Sequence, residues 1–232
     1  MKKTLVILSG GQDSTTCLYW AKKQPQVEQV HALTFDYGQR HGVEIDRACG
    51  IARRAGVDSH EVLQLPAKIL QGTSPLTNPS QEVERYASAD VLPGGLEKTF
   101  VPGRNILFLT LAANRAHVLG CDALVIGVSQ EDFGGYPDCR ASFIEAMGIA
   151  ISEGMPSPIE IKTPLIDLDK KQTVWMAKDL GPECWEALGY SHTCYNGESP
   201  PCGSCHACLL RQKGFDEAGL TDPLIERLGG RS

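Results

Sequence analysis

Two groups of residues in this 232-residue chain have the types and spacing to do chemistry. The first is Leu8-Ser9-Gly10-Gly11-Gln12-Asp13-Ser14, which follows an apolar run and opens a helical one. Adjacent glycines let the backbone approach an anion closely, and a helix starting there offers unpaired N–H groups and the positive end of its dipole. Ser9 and Ser14 add hydroxyl donors. The Gly-Lys-Ser/Thr ending that clamps the β- and γ-phosphates in a Walker loop is missing. The loop therefore suits a released pyrophosphate, and the chemistry is ATP-driven adenylation of a substrate. A plain strand-to-helix turn capped by Asp13 or Ser14 is the bland alternative. The matching run at the carboxyl end of a first strand is more specific than a lone glycine pair.

The second group is Cys202, Cys205 and Cys208 at three-residue steps, with Cys194 eight residues upstream. Four thiolates on one ion satisfy the tetrahedral preference of zinc and leave no open position, so the role is structural. Zinc contributes on the order of 10–16 kcal/mol to apparent folding free energy in small zinc peptides, enough to order a segment with few apolar residues. An iron–sulfur cluster is the rival, but position 212 is Gln where the ferredoxin run needs its next cysteine. His192 and His206 read as neighbours of the site rather than ligands. The other cysteines (Cys17, Cys49, Cys121, Cys139 and Cys184) are scattered and read as small core or surface residues.

The elements that must position these groups alternate. Strands are expected at Thr4–Leu8, Gln29–Phe35, Ser59–Leu65, Ala123–Ile126 and Ile159–Lys162. Helices are expected at Ser14–Lys23, Val43–Ala55, Asn105–Leu119, Ala141–Ser152 and Lys170–Leu180. That order predicts an α/β fold, a five-stranded parallel sheet with helices on both faces. Residues 66–103 are rich in Pro, Ser, Thr and Gly, too long for a simple connection, and read as a lid over the site. Past Tyr190 the composition turns to Cys, Gly and Pro. The division expected is a nucleotide-binding catalytic domain over 1–190 and a C-terminal zinc module over 191–232, its metal-binding part spanning Ser191 to Phe215.

Ligands of open parallel sheets lie beyond the carboxyl ends of the strands. This selects Asp36 to His41 after the second strand and Gly127 to Cys139 after the fourth. In the latter, Tyr136 can stack on a planar amide-rich heterocycle, and Asp132 or Asp138 can hydrogen-bond to it. Arg104, at the end of the lid, and Lys170, at the start of a helix, are the cations expected near ATP, where negative charge develops. The net charge is -6 with a pI near 5.5, which favours a small-molecule substrate over nucleic acid. No apolar stretch has the roughly 18 residues that span a bilayer, and the short apolar start lacks a cleavage site, so a soluble cytoplasmic protein is expected.

Several blocks, taken together, resemble the QueC family within the PP-loop ATP pyrophosphatase superfamily, whose members cleave ATP between the α- and β-phosphates. They are Ser9-Gly-Gly-Gln-Asp-Ser-Thr-Thr-Cys17, Thr34-Phe-Asp-Tyr-Gly-Gln-Arg-His41, Phe100-Val-Pro-Gly-Arg-Asn-Ile-Leu-Phe-Leu109, Tyr136-Pro-Asp-Cys-Arg140 and Thr193-Cys-Tyr-Asn-Gly197. The resemblance implies conversion of 7-carboxy-7-deazaguanine and ammonia to the 7-cyano compound in queuosine biosynthesis, with magnesium, a structural zinc and a homodimer. It implies an ATP loop of Leu8, Ser9, Gly10, Gly11, Gln12, Asp13, Ser14, Thr15, Thr16, Cys17 and Leu18. Asp13, Ser14, Arg104 and Lys170 are then the catalytic candidates. Asp132, Tyr136, Asp138 and Arg140 are the substrate-binding ones, and Cys194, Cys202, Cys205 and Cys208 the metal ligands. Two competing readings are a PP-loop enzyme that modifies tRNA, which normally needs a basic surface, and a zinc-bearing nucleotide sensor without turnover.

Overall fold

A computed structural model describes residues 2–130 and 135–230. Five strands, β1 (Lys3–Ile7), β2 (Gln29–Asp36), β3 (Ser59–Gln64), β4 (Ala123–Val125) and β5 (Glu160–Lys162), form one parallel sheet in the order β3-β2-β1-β4-β5. Period-two alternation sends Leu5 and Ile7 of β1 to one face and Val6 and Leu8 to the other, all of them buried. Helices α1 (Gln12–Lys23), α2 (Val43–Ala55), α5 (Lys170–Asp179), α6 (Pro182–Leu188) and α7 (His206–Ala218) cover the Val6 face through Leu18, Ile51, Val174, Leu188 and Phe215. Helices α3 (Arg104–Leu119) and α4 (Ala141–Gly154) cover the Leu5 face through Phe108, Leu109, Ile144 and Ile151. A short α8 (Pro223–Arg227) follows. The chain steps from β1 outward through β2 to β3, then returns to the other side of β1 for β4 and β5. This reversal opens a crevice above β1 and β4, where such sheets bind ligands.

The expected strands and helices are present with ends shifted by a residue or two, and helix Val43–Ala55 has the expected bounds. Three elements, α6, α7 and α8, were not anticipated. The cysteine-rich stretch passes directly into α7, whose Leu209, Leu210 and Phe215 are buried. Residues 66–103 contain one short 3-10 turn, Ala89–Val91, and their Leu76, Val83 and Val101 pack against Cys194, Cys205 and Cys208. The segment is a strap across the cysteine region. Among the described residues no helix is long and apolar enough to cross a membrane.

Candidate active site and cysteine cluster

The loop leaves the sheet after β1, whose register is carried one residue further by the Leu8 N–H bond to Leu33 O at 2.8 Å. Ser14 Oγ accepts from Ser9 N–H at 3.1 Å and lies 3.0 Å from Ser9 Oγ, while Ser9 Oγ accepts from Gly11 N–H at 3.3 Å. The two serines thus fix the loop as one turn. Gly11 is the N-cap of α1 and no side chain caps that helix, so its first N–H groups remain available to an anion. Gly10 has φ +87°, and a Cβ there would stand 2.5 Å from Glu44 O and 2.8 Å from Ala48 N. Only glycine lets the loop nest against α2.

Leu8, Ser9, Gly11, Gln12, Asp13 and Ser14 line a cavity of about 240 Å³ beyond the carboxyl ends of β1, β2 and β4. The rest of the expected run turns inward. Thr15, Thr16, Cys17 and Leu18 are fully buried in α1, and the two threonine hydroxyls bond to Gly11 O and Gln12 O at 2.7 and 3.0 Å. A second cavity of about 140 Å³ adjoins the first, sharing Asp13, Tyr136, Cys139, Thr193 and Tyr195 as walls and adding Arg140, Lys170 and His206.

Lys170 Nζ donates to Asp13 Oδ2 at 2.7 Å, which ties the first turn of α5 to the loop. Its place depends on α7: a Cβ on Gly214 would lie 2.8 Å from Lys170 Cβ. Arg104 begins α3, faces the larger cavity and donates to the Tyr37 phenol. Burial works against its charge, but Tyr37, Tyr195, Asp138 and Tyr136 around it outweigh that and hold it protonated. Tyr136 joins the wall through Thr99 Oγ1 at 2.7 Å and a hydrogen bond with Tyr195.

Of two further expected substrate contacts, Arg140 lines a cavity and Asp138 stands behind the wall. Asp138 is buried in the turn Pro137–Cys139, where its Oδ2 accepts from Asn105 N–H at 3.3 Å, and burial pushes its carboxyl upward. It anchors the start of α3 and so Arg104. Arg140, the N-cap of α4, is exposed at the smaller cavity. Asp132 lies outside the described residues. Cys139, expected to be a plain core or surface residue, lines both cavities. Ser129, within the selected block Gly127 to Cys139, lines the wall, and so do Glu44 and Tyr195, which the sequence does not single out although Tyr195 directly follows a metal-ligand candidate and Glu44 stands three residues after His41.

The sulfurs of Cys194, Cys202, Cys205 and Cys208 all lie within 4.8 Å of one another. A tetrahedral zinc with bonds near 2.3 Å requires sulfur–sulfur edges of about 3.8 Å. Cys202 Sγ and Cys208 Sγ stand 3.9 Å apart. The N–H groups of Cys202 and Cys205 point at Cys194 Sγ and Cys202 Sγ, at 3.5 and 3.3 Å. Hydrogen bonds from Cys205 and Cys208 hold the Cys194 thiol far below its ordinary value, and the same bonds push those two thiols up. The set fits a soft metal ion. His192 and His206 stand beside it: His192 Nε2 is 3.2 Å from Cys194 O, and His206 Nε2 is 3.7 Å from Glu97. Burial, with Lys170 adding, pushes His206 down to about 4. The strap closes over the cluster through Tyr86 N–H to Ser204 O at 2.7 Å and Arg85 to Glu198 at 2.7 Å.

The fold and this site define a nucleotide-binding protein of the PP-loop class. A subunit described as a predicted part of a tRNA methyltransferase from Methanocaldococcus jannaschii shares the fold, with a TM-score of 0.50 and 20% identity over 77% of this chain and 75% of that one. The family described as queuosine biosynthesis protein QueC matches residues 3–219, and the chain belongs to it. A 7-cyano-7-deazaguanine synthase of Gloeobacter violaceus is 51% identical over 228 residues, 97% of this chain and 96% of its own. One from Chromobacterium violaceum is 51% identical over 226 residues, 97% and 94% of the two chains.

Proposed function

We propose that the protein is itself a 7-cyano-7-deazaguanine synthase, a ligase that uses ATP to turn 7-carboxy-7-deazaguanine and ammonia into the nitrile. The observation that carries this reading is one cleft joining the uncapped pyrophosphate loop to Lys170, Arg104 and the aromatic wall of Tyr136. A carboxylate is a poor electrophile, so its oxygen first attacks the α-phosphorus of ATP and pyrophosphate leaves. The loop N–H groups and Ser14 hold that leaving group, and Lys170 and Arg104 face the charge that develops. Ammonia attacks the acyl-adenylate, giving the amide and AMP. A second ATP adenylates the amide oxygen, and loss of AMP and protons leaves the nitrile. Tyr136 stacks on the heterocycle and Arg140 stands at the mouth for its carboxylate.

Magnesium, which neutralises phosphate charge when bound, is assigned to Asp13, whose Oδ1 is buried without a partner among the described residues. Zinc is assigned to Cys194, Cys202, Cys205 and Cys208 as a structural ion. Residues 191–232 form the zinc module, docked on the 1–190 catalytic domain where Phe215 enters the core of the Val6 face. The protein works as a homodimer in the cytoplasm. Mass spectrometry after incubation with ATP, magnesium, ammonium and the carboxylated deazaguanine tests the reaction. The expected products are the nitrile, AMP and pyrophosphate, with two ATP consumed per nitrile from the acid and one from the synthetic amide. Release of ADP and phosphate as the only nucleotide products overturns the reading.

A further inference from the structure

One histidine–carboxylate pair in the cleft is used by none of the steps above. His41, at the end of the segment after β2, is 4% exposed, and its Nε2 lies 3.1 Å from Glu44 Oε2 in the first turn of α2, Glu44 being 13% exposed. Both line the nucleotide cavity beside Ser9 and Gly11. Two carboxylates, Asp13 and Glu44, line this cleft among the described residues, and Asp138 stands behind its wall. Asp13 is bound to Lys170, and Asp138 is turned away onto Asn105. Among the described residues the Glu44 side chain has His41 as its ion-pair neighbour. His41 Nδ1 is buried without a partner among the described residues, and Nε2 faces one oxygen of Glu44. The other oxygen is left for a ligand. The groups facing the pair from neighbouring elements are Tyr195, with its ring 6.0 Å from that of His41, Tyr37 on the β2 side, His192 and, across the cavity on the two tyrosines, Arg104.

A carboxylate walled by aromatic rings attracts a small cation. Ammonia at neutral pH is almost all ammonium, which has no lone pair and cannot attack carbon. Resting on the synthase reading above, we propose that Glu44, held by His41, binds ammonium in the cleft and is the general base that frees it for attack. Ammonium gives one proton to the Glu44 carboxylate. The freed pair forms the C–N bond to the acyl-adenylate carbon, the C–O bond to phosphate breaks, and AMP leaves with that electron pair. The extra proton on the new nitrogen passes to the AMP phosphate, giving the neutral amide.

The test separates adenylation from amination in Glu44→Gln. ATP–pyrophosphate exchange driven by the carboxylated deazaguanine reports adenylation alone, and its presence in the unmodified protein checks the synthase reading by itself. Glu44→Gln is expected to keep exchange near the unmodified rate while amide formation from ammonium falls about 100-fold or more, the usual worth of a general base. Hydroxylamine is already neutral at that pH, so hydroxamate formation is expected to persist, and Glu44→Asp to recover part of the amination. Equal loss with ammonium and hydroxylamine overturns the proposal. So does loss of exchange, which would make Glu44 a metal or phosphate ligand or a folding residue.

Discussion

The two walls of the cleft are built by different physics. The loop wall is inherited from the sheet: Leu5, Val6, Leu8, Leu124 and Val125 are almost wholly buried, and their packing fixes where Ser9 to Ser14 begin. The opposite wall, carrying Thr193, Tyr195 and, through Thr99, Tyr136, rests on the strap and the cysteine segment. Buried polar groups crowd that side, among them Ser74, Thr77, Glu97, Thr99 and His206, and apolar contacts are few. A catalytic cleft can thus combine a wall made rigid by a core with one held by cross-segment hydrogen bonds around a cysteine cluster that suits a metal ion. Perturbations should separate the two.

The largest separation is expected from Cys205→Ser. Zinc in small sites is worth on the order of 10 kcal/mol of apparent folding free energy. The variant should lose its metal by elemental analysis, and amides of the strap, such as Tyr86 bonded to Ser204, should lose protection from hydrogen exchange. Sheet amides of β1 and β2 should keep theirs. If the sheet unfolds in parallel, the two walls are one cooperative unit and the comparison fails.

Next in size is the polar hub between the walls. Arg211 on α7 is 5% exposed and grips Asp222 by two hydrogen bonds of 2.6 and 2.8 Å, with others to Ser191 Oγ, Thr193 Oγ1 and Leu188 O. Arg211→Met strands a buried carboxylate, and a loss of about 3–5 kcal/mol is expected in denaturant unfolding. Metal content should stay unchanged, since no cysteine is touched. Adding Asp222→Leu should return much of the loss, because the stranded charge is gone.

How far these walls could be read from the sequence follows the same division. The strand–helix alternation and the Gly10-Gly11 turn are local signals, and they sufficed for the sheet and the loop. Helix α2 carries its stop signal in Gly56, in the left-handed region at its C-cap. Helix α7 carries the same stop signal in Gly219, but its buried face includes His206, Arg211 and Gly214, which a hydropathy pattern marks as polar or as a break. Asp138 was expected to face a ligand, but the 3-10 turn from Pro137 rotates it onto Asn105. Pairs such as Asp13 with Lys170 join residues far apart in the chain, so composition suggested the types and only the fold supplied the distance.

Ser14→Ala acts on the loop wall alone. It removes the hydroxyl assigned to the pyrophosphate and the bond to Ser9 N–H. A drop in kcat of about 100-fold, about 2.7 kcal/mol, is expected for one lost donor where charge develops. Thermal stability and zinc content should hardly move. A fall in zinc content with this change would join the two walls in a way their geometry does not.

The smallest expected effect is an acid sensitivity that belongs to the sheet. His60 on β3 lies with Nε2 2.8 Å from Thr34 Oγ1, whose hydroxyl donates to Leu8 O at 2.7 Å, so His60 is the donor in that pair and bears its proton on Nε2. Burial lowers its pKa below the ordinary histidine value. The sign follows from linkage: below about 6.5 the unfolded chain takes a proton that the folded one refuses, so stability present above that pH is lost as pH falls toward the folded value. His60→Gln keeps an N–H donor for Thr34 and removes the titration. The fall in melting temperature between pH 7.5 and 5.5 should therefore be smaller in the variant, while the pH at which metal is released, set by the thiols, should be unchanged. If metal release moved with His60→Gln, acid would be acting on both walls through one transition. If the melting shift were unaltered, the sheet would owe its acid sensitivity to other groups.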